Sequence, residues 1–160
     1  MTTSKGKILS PTALERRLKK RRPRSLVFTN GCFDLLHPGH VGVLEKARAM
    51  GDVLVVAVNS DESVQKLKGP SRPINGLRER LRVIAALEAV SYVTWFSDET
   101  PRELILRLRP KVLVKGGDYQ KEAVVGGAEV RSWGGRVRIV PTVPGQSTTG
   151  ILIRSANPAG

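Results

Sequence analysis

The sequence predicts an α/β fold, a single doubly wound domain around a mostly parallel five-stranded sheet. Three observations predict it. Apolar runs of strand length alternate with amphipathic runs of helix length from residue 25 onward. The run Val53–Val58 is apolar at every position, as suits a strand buried on both faces of a parallel sheet. The first run, Leu26–Thr29, leads directly into a glycine-containing loop that opens a helix. No repeat of 20–50 residues and no internal linker interrupts the alternation.

Taken in order, Ser10-Pro11 reads as the cap and first position of a short helix, with Leu14 and Leu18 on one face to dock on the body. Arg22-Pro23-Arg24 ends it. The first strand is Leu26–Asn30, and a helix follows over Pro38–Met50 with Gly51 as its cap. The second strand, Val53–Val58, stops at Asn59-Ser60-Asp61, and Gln65–Ile74 reads as a basic loop holding a glycine and two prolines. A helix over Leu77–Ala89 places Leu77, Leu81, Ile84 and Leu87 on one face. Tyr92–Phe96 is the third strand, and Thr100-Pro101 starts a helix carrying Leu104, Ile105 and Leu108. Val112–Lys115 is the fourth strand, closed by Gly116-Gly117-Asp118. A short helix at Gly127–Trp133 and a fifth strand at Val137–Val140 precede a last helix, opened by Ser147-Thr148-Thr149 and running through Arg154.

The chain of 160 residues can bury its own core. Hydrophobic residues are 40% and charged residues 26%, both ordinary for a globular chain. No apolar run approaches the roughly 20 residues of a membrane span, and the amino terminus lacks the apolar core of a secretory signal. Cys32 is the single cysteine, so no disulfide forms within the chain, in keeping with a cytoplasmic location. Nothing marks a base for Cys32, and it reads as a small buried filler. The net charge is +13, of which residues 1–24 hold +8 in nine Lys/Arg against Glu15 alone. Residues 1–24 therefore read as a basic arm with a short helix, and residues 25–160 as the domain. A solvated, partly frayed tail is the expectation for the arm, with nucleic-acid binding as the rival.

The chemistry concentrates in Asn30-Gly31-Cys32-Phe33-Asp34-Leu35-Leu36-His37-Pro38-Gly39-His40. A helix start offers unpaired N–H groups and the positive end of the macrodipole, so it attracts anions. Gly31 and Gly39 permit close backbone approach, and Pro38 suits the first helical turn. The chain's two histidines, His37 and His40, both stand at this helix start. Two histidines without a third ligand at suitable spacing do not make a metal site, so they read as donors to phosphate.

His37-Pro38-Gly39-His40 matches the H-x-G-H motif, and the string around it resembles the cytidylyltransferase-like branch of the nucleotidyltransferase superfamily. The resemblance covers roughly Val27–Ile153 and implies a Rossmann-like domain. Leu67–Asn75 and Lys115-Gly116-Gly117-Asp118-Tyr119 resemble the branch that joins ATP to heptose 1-phosphate. A tRNA-synthetase relationship fails for want of a tRNA-binding domain.

That resemblance implies roles residue by residue. His37, His40, Lys68, Ser147 and Thr148 would be catalytic, binding the phosphates and stabilising the transition state. Asn30, Gly31, Phe33, Gly39, Lys115, Gly116 and Thr149 would line the nucleotide site. Asp34, Arg72, Arg80 and Asp118 would serve the acceptor. For Arg80 a phosphate contact and an ion pair holding the helix stand level. Asp34 is a supporting group that orients a histidine or caps the loop. Thr142 stands where relatives that use CTP and glycerol phosphate carry arginine, which favours ATP. The expected reaction joins ATP and D-glycero-D-manno-heptose 1-phosphate to give ADP-heptose and pyrophosphate. Other phosphorylated acceptors, glycerol phosphate with CTP or FMN with ATP, are the alternatives. Mg²⁺ would ride on the substrate phosphates rather than in a carboxylate cage. A homodimer and a separate upstream sugar kinase complete the expectation.

Overall fold

A computed structural model describes residues 3–157. Five strands form one all-parallel sheet: β1 (Leu26–Gly31), β2 (Val53–Asn59), β3 (Tyr92–Phe96), β4 (Val112–Gly116) and β5 (Arg136–Val140). Their order is β3-β2-β1-β4-β5. The chain thus runs outward from β1 to β3, then returns to the other side of β1. That reversal opens a crevice at the carboxyl ends of β1 and β4, where doubly wound sheets bind ligands.

The helices are α1 (Pro11–Arg21), α2 (Pro38–Arg48), α3 (Asp61–Lys68), α4 (Leu77–Ala86), α5 (Arg102–Leu108), α6 (Gly127–Ser132) and α7 (Thr148–Ala156). Each sheet face has its own apolar layer. Leu44 and Ala47 of α2, with Leu81, Ile84 and Ala85 of α4, share one layer with Leu54, Val56 and Val58 of β2. On the other face, Leu104, Ile105 and Leu108 of α5 and Val130 of α6 pack with Phe28, Val55 and Leu113. All seven residues of β2 are buried, as its apolar run requires.

Three expectations change. Residues 61–68, expected as strand end and loop, form α3, capped by Ser60 Oγ accepting from the Ser63 N–H at 3.2 Å and led by Asp61 and Glu62. The helix expected over 77–89 ends at Ala86, and Leu87 turns extended so that Val90 can enter the core. Gly51 is not the cap of α2, which is Ala49; a Cβ at Gly51 would collide with the Ser25 carbonyl.

The basic segment is no frayed tail. Leu14 and Leu18 join the same core as α5, the Ile8–Val93 bridge and the Leu9 N–H to Val93 O bond cover the β3 edge, and Arg107 grips Glu15 at 2.8 Å. Its cations are exposed apart from Lys7, which donates to the Leu87 carbonyl at 3.1 Å, while its apolar stripe is part of the domain, so packing draws no boundary at residue 24. No helix among the described residues is long and apolar enough to cross a membrane.

Candidate active site

The crevice is a cavity of about 710 Å³. Its lining includes Asn30, Gly31, Phe33, Asp34, His37, Gly39, His40, Lys68, Lys115, Gly116, Ser147, Thr148 and Thr149. Thirteen of the sixteen residues singled out from the sequence therefore meet in one place; Arg72, Arg80 and Asp118 do not line it.

His37 is the N-cap of α2, and His40 sits in its first turn. The His37 backbone N–H donates to His40 Nδ1 at 3.4 Å, so one orphan amide of the helix start is satisfied by the imidazole. With Nδ1 accepting, the neutral ring carries its proton on Nε2, a donor available to a ligand. The two rings stack at 3.8 Å and 27°, and Phe33 lies 5.3 Å from the His40 ring. Burial, together with the charges of His37 and Lys68, pushes the His40 pKa down to about 4. Burial also lowers that of His37, whose Nδ1 is buried with no partner among the described residues. Both rings are thus neutral donors near neutral pH, and a bound polyphosphate would favour their charged forms.

A second helix start faces the first. Ser147 caps α7, its Oγ accepting from the Gly150 N–H at 2.9 Å, and Thr148 Oγ1 donates to the Leu35 carbonyl at 3.3 Å. A Cβ on Gly39 would stand 2.9 Å from the His37 ring and 3.2 Å from Gln146 Cβ, so glycine is what lets α2 and α7 meet. Two positive helix ends converge on one anion site. Lys68 ends α3 at the same cavity. Lys115 leaves β4 with its ammonium 5.3 Å from the Tyr119 ring centroid, and burial lowers its pKa. A phosphate there would compensate that desolvation.

Four substrate assignments change character. Asp34 is 3% exposed and its carboxylate is already taken: Arg72 Nε donates at 2.6 Å, and the amides of Ile74 and Asn75 at 2.9 and 3.0 Å. Burial would raise its pKa, but those amides and the guanidinium hold it below the usual carboxylate range. Arg72 therefore commits its Nε to Asp34, while its Nη2 is buried with no hydrogen-bond partner among the described residues. Arg80 is 1% exposed and spends its donors on the carbonyls of Cys32, Asn59 and Asn75 and on Asp61. It pins the signature loop to the end of β2, which resolves its two readings toward structure. Asp118 lies exposed beyond Gly117, whose φ is 121°, and stays outside the cavity lining although Tyr119 next to it is part of it. Glu99, Thr100 and Gln146 line the cavity and were missed; Glu99 and Thr100 could have been flagged by their place just after a strand end.

An α/β crevice with paired imidazoles, two helix starts and two lysines, and with no activated nucleophile among the described residues, defines a nucleotidyltransferase. The comparisons agree: residues 28–152 match the family described as Cytidylyltransferase-like, and the chain belongs to it. The chain is 55% identical over 137 residues to the Syntrophotalea carbinolica protein named bifunctional protein HldE, covering 86% of this chain and 28% of that one. It is 59% identical over 133 residues to the protein of the same name from Koribacter versatilis, covering 83% and 27%. It therefore spans little more than a quarter of those relatives. Among solved structures, a lipopolysaccharide core biosynthesis protein from Thermoplasma volcanium is similar at a TM-score of 0.61 and 26% identity, covering 74% of this chain and 96% of that one. Pantothenate synthetase from Thermus thermophilus, at a TM-score of 0.60 and 21% identity over 85% and 62%, shares the fold.

Proposed function

We propose that the chain transfers the adenylyl group of ATP to D-glycero-D-manno-heptose 1-phosphate, giving ADP-heptose and pyrophosphate. One observation carries the transfer: the amino ends of α2 and α7 meet beside His37 and His40 in a single crevice. A phosphate oxygen of the acceptor forms the new bond to the α-phosphorus while the bond to the bridging oxygen of pyrophosphate breaks. No covalent enzyme intermediate is needed. The thiol of Cys32, the one sulfur nucleophile in the cavity, is pushed up in pKa by burial and stays protonated.

His37 and His40 donate to phosphate oxygens as charge shifts toward the leaving group, and Lys68 and Lys115 offset the charge of two anionic partners. The helix-start amides hold the chain of phosphates in line. Mg²⁺ would reach this site on the substrate phosphates and water rather than in a carboxylate cage. When bound it neutralises phosphate charge.

The heptose is supported by the strings Leu67–Asn75 and Lys115–Tyr119, and ATP by Thr142, which lines the cavity without a guanidinium. The same reading includes a cytoplasmic location, a homodimer and a sugar kinase that supplies the acceptor. A panel of ATP and CTP against heptose 1-phosphate, glycerol 3-phosphate and FMN, read by pyrophosphate release, tests it. Saturable release with ATP and the heptose phosphate is expected; release with another pair and none with this one refutes it.

A further inference from the structure

A sugar phosphate presents hydroxyls as well as a phosphate, and the groups described so far read only phosphate. Hydroxyls are best held by a carboxylate, which accepts from two neighbouring O–H groups. Among the described residues, two carboxylates line the cavity, Asp34 and Glu99. Asp34 has no oxygen to spare, with Arg72, Ile74 and Asn75 already donating to it. Asp118 lies outside the lining. Glu99 is exposed, forms no ion pair or side-chain hydrogen bond among the described residues, and stands beside Thr100, whose hydroxyl can donate or accept.

Its place also selects which sugar it meets. α2 lies on one sheet face, and the start of α7 is held against it by Gln146 beside Gly39 and against the loop before it by Thr148–Leu35. Glu99 comes from the loop after β3, which leads into α5 on the opposite face. In-line transfer puts the acceptor and the leaving pyrophosphate on opposite sides of the α-phosphorus. With pyrophosphate at the paired helix starts, the acceptor falls on the α5 side. Phe96 and Pro101, from the same segment as Glu99, also line the cavity and offer apolar surface for the sugar's C–H faces.

We infer that Glu99, with Thr100, is the hydroxyl-reading end of the acceptor subsite and fixes the polyol part of the sugar phosphate. This rests on the proposed adenylyl transfer to a heptose phosphate. Glu99 is exposed and unpaired, so Glu99→Ala and Glu99→Gln leave the fold intact. The test is steady-state pyrophosphate release by wild type and both variants, with ATP and D-glycero-D-manno-heptose 1-phosphate varied in turn. Glu99→Ala should raise the acceptor KM about 10–100-fold, the scale of one or two charge-assisted hydrogen bonds, with the KM for ATP held within about twofold. Glu99→Gln, which keeps one acceptor oxygen, should fall between. An unchanged acceptor KM in both variants overturns the inference while wild-type turnover upholds the reaction. A rise in the KM for ATP instead would move Glu99 to the ribose and overturn it too. Wild type without turnover on this pair would sink the reaction and the inference together.

Discussion

The imidazole of His40 closes the helix start that His37 opens, its Nδ1 accepting the His37 amide at 3.4 Å while the two rings stack at 3.8 Å. One nitrogen therefore serves the fold and leaves the other for the ligand. Because burial holds the folded pKa at about 4 against an ordinary 6.5, the folded chain binds fewer protons than the unfolded chain between those values. The stability contributed by a neutral His40 is full above pH 6.5 and is lost as pH falls toward 4, and His37 adds in the same direction. Urea midpoints should drop across that window in wild type, and His40→Asn, which keeps an acceptor near the Nδ1 position, should flatten the drop. An identical slope in both would show that His40 is not held neutral.

Asp34 and Arg72 form a pair with side chains 1% and 11% exposed. Removing one partner of a buried pair strands the other, which costs about 3–5 kcal/mol. Asp34→Ala should lose about that much in urea unfolding, because the amides of Ile74 and Asn75 lose their acceptor as well. A loss below about 1 kcal/mol would mean that the pair is an exposed one in solution.

Arg80 offers a cleaner contrast between scaffold and ligand contact. Its side chain is fully buried, and its fork joins Cys32, Asn59 and Asp61 across three segments. Arg80→Lys cannot reproduce that fork and should cost about 3 kcal/mol or more. A phosphate-binding arginine would behave the other way, with unchanged stability and a raised KM for ATP.

Leu14 is completely buried in the core shared with α5. Leu14→Ala should cost about 2–5 kcal/mol, the range for a truncated core leucine. Deleting residues 1–24 should unfold the domain by uncovering the β3 edge and this layer, measured by the loss of cooperative melting. A deletion that melts like wild type would restore the picture of a dispensable arm.

The sheet was legible because its signal is local: β1 to β4 are largely apolar runs, β5 alternates arginine with β-branched residues, and each predicted strand lies within a residue of the observed one. α3 escaped because eight residues give barely two turns of period, although Ser60 followed by Asp61 and Glu62 was an available start signal. The cavity lining was legible wherever a motif sits at a strand end, as with His37, Lys115 and Ser147. Arg72 and Arg80 were legible as cations but not as scaffold, because Asp34, the carbonyls of Cys32 and Asn59, and Asp61 all lie far from them in sequence. Glu99 carried one usable signal, its place just after the end of β3, but no motif surrounds it to single it out.

Pyrophosphate release from ATP and D-glycero-D-manno-heptose 1-phosphate by His40→Asn, compared with wild type, bears most directly on the paired-imidazole crevice. The expected result is a fall in kcat on the order of 10²–10³ in a variant that still melts cooperatively, the scale for loss of one aligned donor to the transition state. A variant turning over within about threefold of wild type, below any effect of such a donor, would contradict it.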